Sequence, residues 1–160
     1  MPKIDRSDWA HYLNVLPSGV ADYVRIGEGV PDATLNMNPK TTEETYISDK
    51  SATITVDGYA PTMPFDMVAI SGDDVYDFIL ALYKARAKLD AAETDIINVD
   101  LYATPAVGEY PAEKQNVAVT VDTKGGPGGA PNRIAYTVHY QGDPIDGTFN
   151  PTTLAFTPTV

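Results

Sequence analysis

The sequence predicts an α+β, mainly β fold: an antiparallel β-sandwich or partial barrel with one flanking α-helix at about residues 72–90, extended by a long loop and a long hairpin. Three observations predict it. Apolar and polar residues alternate with a period of two along several segments, which turns one side of a strand to a core and the other to water. A single segment, residues 71–93, carries its apolar residues at helical spacing instead. The stretch "NVAVTVDTKGGPGGAPNRIAYTVHY", residues 116–140, sets two alternating runs on either side of a Gly/Pro-rich connection, the mark of a long hairpin. At 160 residues, with no internal repeat and no break in composition, one domain spanning 1–160 is expected.

Taken in order, residues 1–20 have no clean period. Trp9, Tyr12, Leu13, Val15 and Leu16 read as a short helical turn or an irregular N-terminal arm. "ADYVRIGEG" (21–29) reads as a strand ending in glycines. Residues 30–51, "VPDATLNMNPKTTEETYISDKS", read as a long polar inter-strand loop, and a connection of that length is uncommon in a compact domain unless it has a task. "ATITVDGYA" (52–60) is a strand with Ile54 and Val56 on one side, and "PTMPFDMVAI" (61–70) continues extended. The helix opens on Ser71 and Asp74, which resemble a capping box with Asp in place of Glu. Val75, Phe78, Ile79, Leu82 and Leu89 share one face. Asp73, Asp74 and Asp77 crowd the first turns and Lys84, Arg86 and Lys88 the last, as the helix dipole favours. Arg86 falls inside the apolar arc, either snorkelling past the core edge or reaching a second subunit. Beyond it, "TDIINVDLYA" (94–103) alternates Ile97, Val99 and Leu101 against Asn98, Asp100 and Tyr102. The hairpin 116–141 sets Val117, Val119, Val121, Ile134, Tyr136, Val138 and Tyr140 on an apolar face. "QGDPIDGTFNP" (141–151) reads as a turn and "TLAFTPT" (153–159) as a last short strand.

The totals exclude several classes. Composition is globular, 43% hydrophobic and 21% charged, which argues against disorder. The absence of cysteine removes disulfides, thiolate chemistry and Cys-based zinc sites. No apolar run approaches the roughly 18 residues of a membrane span, and the charged N-terminus lacks the apolar stretch of a secretion signal. A soluble protein with no membrane partner is expected. A net charge of −11 argues against a protein that grips nucleic acid, since phosphate neutralisation supplies most of that affinity; acidity in the service of solubility alone is the plainer alternative.

Chemistry-bearing residues are sparse. His11 and His139 lie far apart and neither builds a triad with a nearby Ser and acid. "GDD" (72–74) sits where a helix wants acids, so capping explains it better than a metal pair. "GDPIDG" (142–147) lacks the ligand spacing and closing Glu of a calcium loop, and "GGPGG" (125–129) lacks the GK[ST] of a phosphate loop and leads into a strand. No catalytic residue, metal ligand or cofactor is assigned, and the protein is expected not to be an enzyme.

The layout itself, strand, Pro/Thr/Glu loop, strand ending "DGYAP", helix, strand and glycine-tipped hairpin, resembles the major tail tube proteins of tailed bacteriophages, a superfamily that includes the tubes of contractile injection systems. The likeness rests on "YVRIGEG" (23–29), "NPKTTEETYISDKSATITVDGYAP" (38–61) and "AVTVDTKGGPGGAPNRIAYTVHYQGDPIDGTF" (118–149), and covers the chain from about residue 21 onward. It implies a subunit synthesised in the host cytoplasm and built into the tail of a virion. Six subunits form a ring walled by a continuous β-barrel, rings stack into a tube, and DNA passes through without specific binding. Tape measure, terminator and baseplate or tip proteins are the implied partners. On that reading the polar hairpin face, Thr120, Asp122, Thr137, His139 and Gln141, together with Asp100, lines the lumen, where acidity keeps a polyanion from sticking. The loop 30–51 becomes the ring-to-ring arm, expected to order on assembly, with Lys40, Thr41, Thr42, Glu43, Glu44, Tyr46 and Asp49 as contacts. Arg86 faces a neighbouring subunit.

Two other readings remain open on the residues alone. A stand-alone β-sandwich binding module, an adhesin or carbohydrate-binding domain, would use an aromatic groove drawn from Trp9, Tyr102 and Tyr110. A small hydrolase or a calcium-dependent enzyme would use Asp143 and Asp146.

Overall fold

A computed structural model describes residues 1–159. Its main sheet is antiparallel, with strands β1 (Trp9–Asn14), β2 (Tyr23–Ile26), β5 (Thr62–Val68), β6 (Glu93–Asp100), β7 (Tyr110–Gly125), β8 (Arg133–Asn150) and β9 (Ala155–Pro158). The order is β2-β1-β6-β7-β8-β5, with β9 added beside the far end of β8. A second sheet of two strands, β3 (Pro39–Glu44) and β4 (Thr53–Tyr59), stands apart from it. The main sheet curls into a half-barrel, and one helix, α1 (Asp74–Ala85), flanks it, so the expected mainly β α+β class holds in its partial-barrel form.

Two cores lie on opposite faces of this sheet. Leu13, Met63, Phe65, Met67, Ile96, Val117, Val119, Ile134, Tyr136 and Val138 form the larger, and α1 closes it with Val75 and Ile79. Fully burying each of these two helix side chains contributes about 1.5–3 kcal/mol. Ala10, Tyr12, Tyr23, Ile97, Val99, Ala112 and Phe149 form the smaller. Ile96 and Ile97 are neighbours in sequence yet serve different cores, because successive side chains of a strand point to opposite faces.

The hairpin has the expected pairing. Val117 faces Tyr140, Val119 faces Val138 and Val121 faces Tyr136, so a row of branched and aromatic side chains lies over the larger core. Both arms run further than the alternation indicated. Residues 142–150 are not a turn but the second half of β8, paired with β7 from Lys114↔Ile145 to Tyr110↔Phe149. Gly142, at φ 65°, and the register shift between Lys114 and Asn116 mark a bulge that lets the strand bend without ending.

Three other expectations are corrected. Residues 9–14 are a central strand, paired to β2 on one side and β6 on the other, and not an arm. Residues 39–44 within the supposed loop form a strand whose ladder with β4 runs from Pro39↔Tyr59 to Glu44↔Thr53. The helix is shorter than 72–90. Its cap is Asp73, whose side chain accepts from the Val75 N–H at 3.2 Å, and not Ser71. It ends where Arg86 turns left-handed at φ 51°, and the Ala87 N–H closes on the Leu82 carbonyl. Leu89 therefore leaves the helical face and is 86% exposed.

Candidate functional site

Four of the six residues expected to line a lumen meet in one hydrogen-bonded group on the hairpin. β7 supplies Thr120 and Asp122, and β8 supplies Thr137 and His139. Thr120 faces Thr137 across the ladder, and the register shift between Val121 and Thr123 sets Asp122 at a bulge. The Thr120 hydroxyl donates to Asp122 Oδ1 at 3.2 Å and lies 3.1 Å from His139 Nε2, while the Thr137 hydroxyl donates to Asp122 Oδ2 at 2.5 Å. One carboxylate thus gathers two hydroxyls on an open sheet surface.

Gln141 shares their face, opposite Asn116, and its backbone carbonyl accepts from Gln115 Nε2 at 3.4 Å. Asp100 does not join them. It pairs with Trp9 at the far end of β6 and shares the face of Asn98 and Ile96, the opposite side of the sheet. Partial burial raises its carboxyl above the usual range.

A second surface is the β3–β4 ribbon. All six residues of β3, Lys40, Thr41, Thr42, Glu43 and Glu44 among them, are exposed. Thr42 bonds Asp57 across the ladder. At the tip the Tyr46 hydroxyl donates to Glu44 Oε2 at 2.7 Å, and the Tyr46 N–H donates to Asp49 Oδ2 at 3.2 Å, so the turn is held by its own side chains. The ribbon also carries apolar residues left largely open: Ile47 is 109% exposed, Ile54 65% and Val56 53%. Ile54 faces Glu43 and Val56 faces Thr41, so both isoleucine and valine lie on one side of the ribbon, the side of the alternation seen in the sequence.

A third surface lies along β7. Strand β6 pairs β7 only as far as Ala118, and among the described residues no strand pairs with 119–125 on that side. Leu82, Tyr83, Leu89, Val119 and Val121 line a groove of about 570 Å³ beside this open edge. Arg86 stands at the groove, with its guanidinium 4.6 Å from the centre of the Tyr83 ring and Nη1 donating to the Tyr83 carbonyl at 2.5 Å. It is exposed at the helix end, outside the core.

Sequence reasoning missed the buried polar set around β1. His11 is 3% exposed, with Nδ1 2.7 Å from Asn98 Oδ1 and Nε2 2.9 Å from an Arg6 nitrogen. Arg6 can only donate, so Nε2 accepts and the ring proton sits on Nδ1. Burial, reinforced by Arg6 and Arg25, pushes the imidazole down to about 4 despite the bond that Nδ1 donates to Asn98. Asp95 takes the Asn14 amide at 2.9 Å and the Tyr23 hydroxyl at 2.5 Å, tying three strands together. The Trp9, Tyr102 and Tyr110 of a binding groove are not gathered: Trp9 packs on the larger core and Tyr110 on the smaller. Asp143 and Asp146 both lie exposed on β8.

No family model matches the sequence, and no curated protein matches it. The fold does have relatives. It is similar to a chain in the tail of an empty GTA particle of C6 symmetry, with TM-score 0.61 and 12% identity, covering 97% of this chain and 99% of the other. It is similar to a chain of the sheath/tube terminator of the extracellular contractile injection system PVC in its extended state, with TM-score 0.56 and 9% identity over 91% and 97% of the two chains. It is also similar to a chain of the tube-terminating cap of the anti-feeding prophage, with TM-score 0.56 and 13% identity over 88% and 89%. The class is thereby defined at the level of fold: this is the fold of tail components of phage-like particles, as the layout of the sequence led one to expect.

Proposed function

We propose that this chain is a structural subunit of a phage tail tube, assembling as hexameric rings that stack around a lumen through which DNA passes. The observation that carries the reading is the β3–β4 ribbon, an arm on which Ile47 is fully exposed and Ile54 and Val56 are more than half exposed. A monomer gains nothing from such an arm, whereas a repeating contact buries it once per subunit. The open edge of β7 supports lateral pairing, since an unpaired strand offers its N–H and C=O groups to a neighbour's strand. Arg86, beside that edge, is the proposed lateral contact.

Thr120, Asp122, Thr137, His139 and Gln141 are the proposed lumen lining. Thr120, Asp122, Thr137 and His139 bond one another, and the five residues bring one carboxylate and no arginine or lysine to a chain already at −11, which gives a polyanion little to bind. The particle itself is the proposed location, and tape measure, terminator and baseplate or tip proteins the proposed partners. No helix among the described residues is long and apolar enough to cross a membrane. A second reading follows from the likeness to a terminator and a cap: a subunit that closes the end of a tube as one ring.

Negative-stain microscopy of concentrated purified protein tests the proposal. Filaments of stacked rings support the tube subunit, isolated rings support the terminating role, and monomers across salt and pH overturn both.

A further inference from the structure

Beside β1 lies a cavity of about 380 Å³ whose walls are aromatic and apolar, with Trp9, Phe65 and Ile26, and whose rim carries Arg6 and Arg25. Neither guanidinium has a carboxylate partner among the described residues, although the chain has 22 acids to 11 bases. Arg6 is held in place by the Trp9 and Ala33 carbonyls, at 2.8 and 3.1 Å, and by His11. Arg25 gives one bond to the Ser7 carbonyl at 2.9 Å and keeps most of its donors free. Asp32 also lines the cavity and forms no ion pair with either arginine. Two positioned cations over an apolar floor suit a ligand with an apolar end and an adjacent negative charge.

We propose that this cavity receives the tip of the β3–β4 ribbon of a second copy of this chain. The tip has the matching chemistry: Ile47 stands fully exposed beside Tyr46, Glu43 and Glu44 precede them, and Asp49 follows, with Lys50 the one base among these tip residues. It cannot reach the cavity of its own subunit. Ala33 and Thr34 line the cavity near the foot of the ribbon, and the ladder from Pro39↔Tyr59 to Glu44↔Thr53 then carries the tip roughly 17 Å away at about 3.4 Å per residue. A contact made by a protruding arm on one copy and a distant cavity on the next is head-to-tail and leaves a free arm and a free cavity at its ends, so it propagates a stack. The inference rests on the tube reading and gives its ring-to-ring contact a chemical identity.

The chain has no cysteine, so engineered thiols are unique. Under assembly conditions the double variant Ile47→Cys, Thr34→Cys, treated with a short bis-maleimide, should give a ladder of cross-linked multimers on a denaturing gel. Either single variant should stop at dimers. Arg25→Glu should raise the concentration needed for stacking about tenfold, and Glu43→Lys with Glu44→Lys in the same chain should recover it. Assemblies visible by microscopy with no ladder and no charge-swap recovery would overturn this contact and leave the tube reading standing. Absence of assembly in the unmodified protein under every condition would overturn both.

Discussion

Acidification tests the buried histidine most directly. His11 has an ordinary value of 6.5 and is held near 4 in the folded chain, first by burial and then by Arg6 and Arg25. The unfolded chain therefore binds the proton that the folded chain refuses throughout the window between those values. The contribution is intact above about pH 6.5 and is lost as pH falls toward 4. Between pH 7.5 and pH 5 the loss is about 2 kcal/mol, from 1.36 kcal/mol per pH unit across the part of the window traversed. For a domain of this length that is roughly 4–8 °C of melting temperature. Carboxylates also titrate in acid, so the measurement is a difference: urea unfolding of the unmodified protein and of His11→Gln at both pH values. The variant is less stable at pH 7.5, because its amide must replace two ring contacts, and the gap between the proteins should shrink by about 2 kcal/mol at pH 5. A gap that stays constant would show that His11 lies open to water and is unshifted, a gap that widens at pH 5 would show that it is charged in the fold, and either would overturn the tautomer and the Arg6 contact.

Tyr136 is wholly buried and its hydroxyl has no hydrogen-bond partner among the described residues, so Tyr136→Phe should stabilise the subunit by about 1 kcal/mol in urea unfolding; a loss of that size would reveal a partner for the hydroxyl. A Cβ on Gly147 would stand 2.3 Å from the Thr157 carbonyl oxygen, so Gly147→Ala should cost at least about 2 kcal/mol by prising β9 from β8, read as early amide exchange at residues 155–158; an unchanged melting curve would place β9 elsewhere. Ile54→Asp with Val56→Asp should leave the melting temperature within about 2 °C while abolishing sedimentable assemblies, since both side chains are exposed in the subunit; unchanged assembly would free the ribbon from its proposed role. Asp122→Lys should preserve rings and slow DNA ejection, and normal ejection kinetics would remove the hairpin face from the lumen.

What was legible in the sequence was whatever has water on one side. The hairpin declares itself because Val117, Val119 and Val121 alternate with residues that face solvent or other polar groups. Strand β1 did not, because five consecutive residues from Ala10 to Asn14 are buried and burial on both faces erases the period of two. Its two polar residues are satisfied by Asn98 and Asp95, more than 80 positions along the chain, which no local pattern reveals. Strand β3 failed for the opposite reason: with every residue exposed there is no core to impose a period, and only pairing with β4 makes it a strand. The helix was overextended because its stop signal is Arg86 in a left-handed conformation usually given to glycine. At the candidate surfaces, the Thr120–Asp122–Thr137–His139 group is legible as one face of a hairpin. Asp100 was not separable from it, since its face depends on how β6 sits against β7.

The division of Ile96 and Ile97 between two cores has a bearing on how the chain avoids error while it folds. A slip of β6 by one position would hand each core the side chains meant for the other, and no partly correct alignment survives that exchange. In the proposed assembly, exposed borders that join copy to copy run the hazard of joining too early and askew. Here a single-position slip of the central strand is penalised on both faces at once, so a subunit slipped that way would not present the borders of the proposed assembly.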